Sequence, residues 1–334
     1  MRIGVDISAI SAGGVKTYVE NLKKYLKSPK FEIIFLDCPK IPLLRILFLH
    51  FVYPFYALVK GIKLLHYTKS ECPVVKTVKV ITTLHDTIPL EHPRTENFLK
   101  RIYWNFHIKL ALRKADKLIC PSNYVKEKLK KYGVKSNRIK VVPHGTEFRK
   151  NDKSKILDFD YFLYVGRVAK RKGLKEALIS FYEIAKERDI KFVICGKKDN
   201  AYREIVKLIK EKNLQDKVIF TGYVDYDSLD FLYQNALSLL YLTDDEGFGY
   251  PVLEALKNAC PVIATPLPPF KEISQKILFC DKKNITDIIS KMKEVLNNKN
   301  LRDEIKKEIE KLRQKFDVKR EIEKTLKVYE EVLS

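Results

Sequence analysis

The regular alternation of β-rich runs with helical patterns is the feature that most constrains the fold of this chain. In the first half, short runs rich in Val, Ile and Leu end in polar or Gly/Pro turns and recur at 2–7, 31–37, 63–68, 78–86, 117–122 and 139–145. Helical patterns separate several of these runs, at 15–26, 97–115 and 123–132. This order predicts parallel strands joined by helical crossovers, which is typical of a doubly wound α/β fold.

A second series of the same kind follows a polar segment. Residues 146–160 are charged and without clear periodicity, so they are predicted to link two domains. Beyond them, β-rich runs lie at 161–166, 191–196, 217–224, 237–242 and 261–265, and helical patterns at 174–187, 201–212, 251–259, 285–297 and 301–334. The length of 334 residues suits two domains. The sequence therefore predicts two parallel sheets in tandem, with ligands beyond the carboxyl ends of the strands, in a cleft between the domains.

The positive charge of the chain is concentrated in its first half. Residues 1–150 carry 29 basic and 11 acidic side chains, whereas residues 151–334 carry 35 and 31, within a net charge of +22. Such a field favours an anionic partner, which can be a nucleic acid, lipid head groups or a phosphorylated substrate. A basic nucleic-acid-binding protein is one alternative, although the sequence has no zinc-finger spacing, no aromatic RNA-binding pattern and no long basic helix.

Cysteine usage and hydropathy predict a cytoplasmic protein. The six cysteines stand far apart without a C-x-x-C pair, so we expect buried free thiols in a reducing cytosol. The N-terminus has no signal-peptide pattern, and the longest apolar stretch without a charge, 46–59, is shorter than the ~20 residues of a membrane-spanning helix. The surrounding segment 41–63 is apolar and aromatic with basic residues at its margins, so it is either a core helix or a segment that rests on a membrane.

An acidic motif follows the fourth β-rich run of the second half. Glu246 comes at the end of that run, and Glu254 lies at the start of the next helical pattern, with a Gly-Phe-Gly loop between them. Glycines let the backbone approach a ligand closely, and a helix N-terminus attracts phosphate. Carboxylates accept hydrogen bonds from sugar or ribose hydroxyls. The motif predicts a site for a hydroxyl-rich phosphorylated ligand, and a solvated acidic loop is the alternative.

A basic motif follows the first β-rich run of the second half. Four cations fall within six residues between Gly166 and Gly173, where the ligand edge of the sheet is expected. Cations at this edge can hold a diphosphate, although a solvated basic turn is the alternative. No G-x-G-x-x-G follows either first strand, which weighs against a nicotinamide enzyme, and there is no Walker A lysine motif.

The two motifs together resemble those of retaining glycosyltransferases of family 4, which have the GT-B fold. The matching residues are Gly-Arg-x4-Lys-Gly at 166–173 and Glu-Gly-Phe-Gly-x4-Glu at 246–254. A Gly-Gly pair at 13–14, a His-Asp pair at 85–86 as in mannosyltransferase-like members, and Pro-His-Gly at 143–145 extend the resemblance over nearly the whole chain. It implies two Rossmann-like domains that face each other across a cleft.

The resemblance also implies what each domain does. Residues 1–147, with a returning C-terminal helix at 317–334, would form the acceptor-side domain, and residues 148–316 the nucleotide-sugar-binding domain. The implied reaction moves a hexose from a nucleoside-diphosphate sugar to a glycan or lipid-linked glycan, with retention and without a metal or other cofactor. A GT-B-fold nucleotide-sugar epimerase and a phosphorylase are alternatives within the same fold.

Individual site residues follow from the same resemblance. Arg167 and Lys172 would bind the donor diphosphate, and Glu246 the transferred sugar. Glu254 would hold the ribose. His85 would lie by the donor sugar and acceptor hydroxyl, unless it is a buried strand-end histidine. The predicted catalytic residues are thus Glu246, His85, Arg167 and Lys172. Further predicted donor-binding residues are Gly13, Gly14, Gly196, Lys197, Gly222, Tyr223, Val224, Gly247, Phe248 and Gly249.

The expected partners follow from the His-Asp pair and from the charge distribution. The His-Asp context favours GDP-mannose over UDP-glucose as the donor. The basic acceptor-side half favours a lipid-diphosphate-linked acceptor and peripheral contact with an anionic membrane rather than a nucleic acid.

Overall fold

The computed structural model describes residues 1–8, 13–39, 41–91, 98–148 and 158–334. The chain divides into one unit of Met1–Glu147 with Lys315–Ser334 and a second unit of Phe148–Gln314, each built on its own sheet. The C-terminal segment therefore returns to the first unit. Most of the predicted linker, at 149–157, and the first residue of the helical pattern at 97–115 lie outside the described residues.

Six parallel strands form the sheet of the first unit. They are β1 (Arg2–Asp6), β2 (Glu32–Leu36), β3 (Ile62–Tyr67), β4 (Lys79–Thr83), β5 (Lys117–Cys120) and β6 (Ile139–Val141), in the order β2-β1-β3-β4-β5-β6. The order reverses between β1 and β3. Ligands of open parallel sheets lie beyond the carboxyl ends of the strands at such a switch point.

The helices of the first unit cover both faces of its sheet. They are α1 (Gly14–Tyr25), α2 (Pro42–Leu47), a π-helical turn (Phe48–Val52), α3 (Tyr53–Val59), α4 (Ile88–Glu91), α5 (Phe98–Lys114), α6 (Asn123–Lys131) and the C-terminal helix (Val318–Leu333). Successive strand residues point to opposite faces, so Leu64 packs in the core beneath α1 and the C-terminal helix, whereas Leu65 packs in the core beneath α3 and α5. The returning helix contributes Ile322 and Tyr329 to the first of these cores.

Six parallel strands also form the sheet of the second unit. They are β7 (Tyr161–Val165), β8 (Lys191–Cys195), β9 (Val218–Gly222), β10 (Ser238–Tyr241), β11 (Val262–Ala264) and β12 (Leu278–Phe279), in the order β12-β11-β10-β7-β8-β9. Here the switch point lies between β7 and β10. The helices are α7 (Leu174–Ala185), α8 (Tyr202–Glu211), α9 (Tyr226–Asn235), α10 (Tyr250–Lys257), α11 (Pro268–Ile273), α12 (Ile285–Asn297), α13 (Leu301–Lys306) and α14 (Ile309–Phe316).

The predicted α/β class with two parallel sheets is confirmed, and each predicted β-rich run contains a strand. Four of the elements named above were not predicted: the short helix α4, helices α9 and α11, and the two-residue strand β12. The helical tail, predicted as one stretch, is divided into α13, α14 and the C-terminal helix. All six cysteines are buried and free, as expected. Within the described ranges, no helix has both the length and the apolar character needed to cross a membrane.

The segment 41–63 combines features of both interpretations. Its helices bury Leu49, Tyr53 and Ala57 in the core of the first unit. On the other side, large apolar side chains such as Phe55 and Val59 are 53% and 82% exposed. The core-helix interpretation therefore accounts for one face of this segment and leaves an apolar outer face.

Candidate active site

Two loops lie side by side at the switch point of the second sheet. β7 and β10 are neighbours there, and the loops that follow them carry the basic and the acidic motif. Gly173 is left-handed, with φ +66°, and packs so closely on the main-chain carbonyl of Leu242 that a Cβ would overlap it. The main-chain N–H of Asp244 donates to the carbonyl of Arg171 at 2.9 Å. These backbone contacts bring the two motifs together.

Lys172 and Glu246 form the central ion pair of this site. Nζ of Lys172 lies 2.6 Å from Oε2 of Glu246 and donates a further hydrogen bond to the hydroxyl of Tyr241 at 3.0 Å. Burial lowers the pKa of Lys172, although Glu246 acts in the opposite direction. Burial alone would raise the pKa of Glu246, but Lys172 and Arg171 outweigh it, and the pKa of the carboxyl is lowered. The site thus holds a buried cation against an ionised carboxylate.

The two arginines of the basic motif have different surroundings. Nη1 of Arg171 lies 3.6 Å from Oε2 of Glu246 and donates to the carbonyl of Asp245 at 3.1 Å. The side chain of Arg167 is half exposed and pairs with Asp199, beyond the end of β8, at 3.0 Å. The structure therefore joins Lys172 to Glu246 but directs Arg167 elsewhere. Sequence reasoning missed Arg171 as a site residue, although it belongs to the same run of cations.

The segment 247–249 connects Glu246 to α10 and is buried throughout. Gly249 is left-handed, with φ +100°, and a Cβ there would lie 2.5 Å from a ring carbon of Phe270. No side chain caps the N-terminus of α10 at Gly249. Pro251 has no N–H, and the N–H groups of Val252 and Leu253 donate to the carbonyl of Gly249 at 3.0 and 3.2 Å. What this helix start offers an anion is therefore the positive end of the helix dipole.

Glu254 is buried on α10. Its Oε2 accepts a hydrogen bond from the hydroxyl of Tyr233 at 3.1 Å. Burial raises the pKa of this carboxyl to about 7, against the opposing effect of Lys257. The two glutamates of the motif thus differ, because Glu246 is held ionised by cations whereas Glu254 has a pKa near neutrality.

The ends of β8 and β9 bring together the other predicted donor-binding residues of this unit. The main-chain N–H of Gly196 donates to the carbonyl of Gly222 at 2.8 Å. Nζ of Lys197 lies 5.9 Å from the ring centroid of Tyr223, and this ring is 58% exposed. Val224 follows at the same edge and is partly buried. An exposed aromatic ring and a lysine therefore stand together beyond the strand ends, next to β7.

In the first unit, the predicted Gly-Gly pair lies at the N-terminus of α1. Gly13 is left-handed, with φ +97°, and Gly14 is the first residue of the helix. A Cβ on Gly13 would have nothing within 4 Å, and the first turn of α1 contains no acidic residue. The pair follows β1, one of the two strands at the switch point, and residues 9–12 between them lie outside the described residues.

His85 is partly exposed and has both ring nitrogens bonded within the protein. Nε2 lies 2.8 Å from the carbonyl oxygen of Thr68, and Nδ1 lies 2.9 Å from Nε2 of His144. The neighbouring Asp86 accepts a hydrogen bond from the main-chain N–H of Ile88 at 3.0 Å, so it orients the start of α4. The predicted place of His85 beside the donor sugar remains a prediction.

A buried acidic partner of His144 was not predicted. Oε1 of Glu321, on the C-terminal helix, lies 2.9 Å from Nδ1 of His144. The helix reaches this position because Gly145 has no side chain, since a Cβ there would lie 2.6 Å from Cα of Val318. Glu321 lies in a Lys- and Glu-rich helix, so nothing in the local sequence distinguished it, and its burial becomes apparent from the packing of that helix on the sheet.

The described part of the chain contains no group of three or more His, Cys, Asp or Glu side chains suited to a metal ion. What the geometry of the second unit offers is a set of fixed cations, an ionised carboxylate, a buried carboxyl and a helix N-terminus at one sheet edge. This combination can bind a ligand that carries both phosphate and hydroxyl groups.

Two family descriptions match the sequence. Residues 146–312 match the family described as "Glycosyl transferases group 1", and residues 41–149 match the family described as "Glycosyltransferase Family 4". Both predicted motifs of the second unit, at 166–173 and 246–254, lie within the first match.

Similar proteins and structures agree with these matches. The chain is 28% identical over 216 residues to the O-antigen chain mannosyltransferase RfbU of Salmonella typhimurium, over 63% of this chain and 58% of that protein, so it spans less than two thirds of that relative. It is 25% identical over 346 residues to the uncharacterised glycosyltransferase MJ1178 of Methanocaldococcus jannaschii, over 96% and 95%. Among solved structures, Anabaena Alr3699/HepE in complex with UDP and glucose has a TM-score of 0.79 at 14% identity, over 99% and 100% of the two chains. This last likeness concerns the fold.

Proposed function

The chain belongs to the glycosyl transferases of group 1, with a GT-B fold of the family 4 type, and we propose that it transfers a hexose from a nucleoside-diphosphate sugar to a glycan or lipid-linked glycan. The predicted family and fold are confirmed. In this proposal the second unit binds the donor and the first unit binds the acceptor.

The observation that carries the proposal is the Lys172–Glu246 pair at the switch point of the second sheet. Transfer of a sugar leaves negative charge on the departing diphosphate, and a preformed cation stabilises that charge without reorganisation. Lys172 is buried and Arg171 lies 3.6 Å from the same carboxylate, so two cations are already assembled. Glu246 favours the charged form of Lys172 before the donor binds, and it can then accept hydrogen bonds from hydroxyls of the transferred sugar.

Arg167 has a more distant role in this proposal than Lys172. Its exposed guanidinium pairs with Asp199, and the long side chain can exchange that partner for a phosphate oxygen at little cost because the pair is solvated. We therefore propose that Lys172 and Arg171 contact the diphosphate first. Arg167 then exchanges Asp199 for a phosphate oxygen once the donor is bound.

The nucleoside would occupy the neighbouring strand ends. Glu254 would accept hydrogen bonds from the ribose, and the exposed ring of Tyr223 beside Lys197 would stack on the base. Gly222 is exposed with open space around it, so the backbone of this edge is accessible, and Val224 would flank the base from the same edge.

In the first unit, the N-terminus of α1 would approach the donor phosphates. Gly13 leaves open space there, and the helix N-terminus favours negative charge. His85 would lie by the donor sugar and the acceptor hydroxyl. Because both of its ring nitrogens have protein partners, it would present its ring edge and main chain to the sugar rather than a free nitrogen.

We propose GDP-mannose as the donor and retention as the stereochemical course. The His85–Asp86 pair, as in mannosyltransferase-like members, supports mannose, and so does the likeness to a protein named an O-antigen chain mannosyltransferase. Retention follows in this proposal from attack of the acceptor on the face that the diphosphate leaves. We propose that no metal ion is needed, because Lys172 and Arg171 already supply two cations at the expected place of the diphosphate.

An apolar patch on the first unit supports contact with a membrane. Large apolar side chains on α2, the π-helical turn, α3 and α5 are 42–82% exposed; they include Leu43, Leu47, Phe51, Phe55, Leu58, Val59, Ile102 and Phe106. The ring of Phe106 lies 6.4 Å from that of the buried His50, so α5 packs against the π-helical turn. Exposed basic residues border it, such as Lys60, Lys63 and Lys109. We propose that this apolar patch rests on an anionic membrane and brings the chain to a lipid-diphosphate-linked acceptor.

A thermal-shift panel tests the donor site. A ligand that binds the folded state raises the melting temperature, so GDP is expected to stabilise the wild type and to have little effect on Lys172→Met. Lys170→Met is the matched control, because Lys170 is an exposed cation of the same turn. Stabilisation of Lys172→Met equal to that of the wild type would refute the assignment.

An assay of donor turnover tests the reaction class. Release of GDP from GDP-mannose that requires a lipid-diphosphate glycan, with mannose recovered in the lipid fraction, supports transfer. GDP release that is independent of any acceptor, or sugar interconversion without GDP release, would favour hydrolysis or epimerisation instead. Loss of turnover in a chelator and recovery with Mn²⁺ would contradict the proposal that no metal is needed.

A further inference from the structure

A buried chain of hydrogen bonds runs from the C-terminal helix to the carboxyl edge of the first sheet. Oε1 of Glu321 lies 2.9 Å from Nδ1 of His144, and Nε2 of His144 lies 2.9 Å from Nδ1 of His85. Nε2 of His85 lies 2.8 Å from the carbonyl oxygen of Thr68. Glu321 and His144 are 1% and 2% exposed. We call Glu321, His144, His85 and the Thr68 carbonyl the histidine relay.

The Thr68 carbonyl, at the end of the histidine relay, determines which ring nitrogens of His85 and His144 carry protons. A carbonyl oxygen only accepts, so Nε2 of His85 carries a proton and donates it to Thr68. Nδ1 of the neutral His85 ring is then an acceptor, and Nε2 of His144 donates to it. Nδ1 of His144 is left as an acceptor that faces Glu321. The contact between them therefore needs a proton that neither imidazole supplies in its neutral form.

The relay thus needs one proton more than its two neutral imidazole rings supply. Its three hydrogen bonds need three protons, and two neutral imidazoles bring two. The third proton lies between Glu321 and His144, and with it the relay as a whole is uncharged. If it leaves, two protons remain for three contacts, and one contact lies between two lone pairs. The Glu321 carboxylate is then the strongest acceptor, so the proton of His144 moves to the nitrogen that faces Glu321, and His85 loses one of its two partners.

The histidine relay connects several strand ends to the C-terminal helix. Thr68 follows β3, and its hydroxyl donates to the carbonyl of Asp6, the last residue of β1, at 2.7 Å. His85 follows β4 and His144 follows β6, whereas Glu321 comes from the C-terminal helix. A shift of any member therefore moves the loops at the switch point of the first sheet.

Helix α1, which begins at the Gly13–Gly14 pair, packs directly on the relay. The ring centroid of Tyr18 lies 5.0 Å from that of His85 and 4.8 Å from that of His144. Nδ2 of Asn21 donates to Oε2 of Glu321 at 3.3 Å. The relay thus fixes His85 relative to the helix that is proposed to approach the donor phosphates.

We propose that Glu321 positions His85 for the transfer reaction through His144, and that the third proton of the histidine relay is required for this. The inference rests on the proposed function, because that function assigns His85 to the sugar. Glu321 and His144 touch neither substrate in this scheme. They are positioning residues that act through His85.

The third proton is expected to leave the relay in mildly alkaline solution. Burial raises the pKa of Glu321 to about 8, although hydrogen bonds from Gly145 and Asn21 oppose it. Burial lowers the pKa of His144 and of His85 to about 3 each, so neither ring holds a second proton at neutral pH. The relay is therefore complete below about pH 8 and incomplete above it.

Other titratable groups surround the relay and must be separated from it. They are Tyr18 on α1, His66 on β3, Tyr329 on the C-terminal helix, and Lys69 and Glu71 after β3. All of them are retained in a Glu321→Gln variant. A pH effect that originates in these groups therefore persists in the variant, whereas an effect of the relay proton disappears.

Glu321→Gln is the decisive variant because its amide can replace the protonated carboxyl. The amide nitrogen can donate to Nδ1 of His144, and the amide oxygen can accept from Asn21, without a titrating proton. We expect kcat/KM of the wild type to fall above pH 8, to about one thirtieth of its plateau at pH 9.5 for a single required proton. The profile of Glu321→Gln stays level there, and this variant recovers most of the activity that Glu321→Ala loses. Glu323→Gln, on the exposed side of the same helix, is the control and keeps the wild-type profile.

Nitrogen-15 NMR of the histidine rings tests the relay without any assay of transfer. At pH 7 we expect Nε2 of His85 and of His144 to be protonated and their Nδ1 atoms unprotonated. The ring shifts of His144 change through about pH 8 in the wild type and not in Glu321→Gln. An Nδ1-protonated His85 at pH 7, or the same alkaline fall of kcat/KM in Glu321→Gln as in the wild type, would overturn the inference. A wild type that transfers no sugar but gives these NMR results would refute the proposed function and leave the relay in place.

Discussion

The pair of Lys172 and Glu246 gives the most quantitative prediction for the proposed donor site. Removing one partner of a buried ion pair typically costs about 3–5 kcal/mol of unfolding free energy, because it leaves an uncompensated buried charge. Here the Glu246 side chain is 21% exposed and keeps Arg171 at 3.6 Å. We therefore expect Lys172→Met to lower the free energy of unfolding by somewhat less than that range, by about 2–3 kcal/mol.

The same reasoning predicts that the two substitutions are not additive. Glu246→Gln leaves the cation of Lys172 with an amide oxygen as acceptor, so we expect a cost of about 1–2 kcal/mol. In the double variant Lys172→Met/Glu246→Gln, neither charge remains without its partner. We expect the double variant to lose about 1.5–2 kcal/mol less unfolding free energy than the two single variants lose together. This difference is the coupling energy expected of a close buried pair.

Urea denaturation of the four proteins at pH 7.5, followed by circular dichroism, measures this cycle. In parallel, calorimetric titration with GDP is expected to show at least tenfold weaker binding to Lys172→Met, since a hydrogen bond to a charged group is worth about 1.5–3 kcal/mol. Costs that add within about 0.5 kcal/mol would mean that the two side chains are not coupled. Unchanged GDP affinity in Lys172→Met would show that its cation does not meet the diphosphate.

Three further predictions concern other parts of the chain. Burial raises the pKa of Glu254 to about 7. The protonated side chain therefore makes its full contribution to the free energy of unfolding below about pH 4.5, and this contribution is lost as the pH rises to about 7. A ribose needs the carboxylate, so GDP affinity of the wild type relative to Glu254→Gln is expected to fall about tenfold from pH 8 to pH 6 in calorimetric titrations, and a constant ratio would contradict this role. Gly173→Ala is expected to lower the free energy of unfolding, measured by urea denaturation, by about 2–4 kcal/mol, because the new Cβ overlaps a main-chain carbonyl at positive φ. Gly133→Ala, at φ +82° with open space around it, is the control and is expected to lower it by about 1 kcal/mol. Equal losses in the two variants would show that the overlap does not matter. The apolar patch predicts flotation of the chain with anionic vesicles and at least tenfold weaker binding of Phe55→Ser/Val59→Ser, and equal binding of the two proteins would refute the membrane proposal.

Local sequence patterns were sufficient to predict the class of fold. Runs of β-branched and apolar residues predicted strands because a parallel sheet buries both faces of its central strands. The two-residue strand Leu278–Phe279 was missed because a run of that length has no period. Helix α9 was missed because its sequence, YDSLDFLYQN, mixes polar and apolar residues with a weak helical pattern.

The contact between Lys172 and Glu246, at the centre of the proposed donor site, was predictable for a geometric reason. Lys172 and Glu246 each follow a strand of the second sheet, and both strands end at the same edge. The sequence did not specify which cation of the basic motif reaches the carboxylate. The left-handed turn at Gly173 and its packing on Leu242 decide this, and they direct Lys172 and Arg171 inward while Arg167 pairs with Asp199.

The histidine relay was beyond the reach of local patterns. Glu321 lies 177 residues from His144, and their contact depends on the return of the C-terminal helix and on the absence of a side chain at Gly145. A single glutamate in a charged helix is usually solvated, so its burial becomes apparent once the helix is packed on the sheet. The sequence therefore predicted His85 but not the residues that hold it.

A crystal structure of the chain with bound GDP tests the central claim most directly. We predict that a terminal phosphate oxygen lies within hydrogen-bonding distance, about 3 Å, of Nζ of Lys172, with the ribose at Glu254 and the base beyond the ends of β8 and β9. A nucleotide bound with its phosphates away from the carboxyl ends of β7 and β10, with the Lys172–Glu246 pair undisturbed and out of contact with the ligand, would contradict the account.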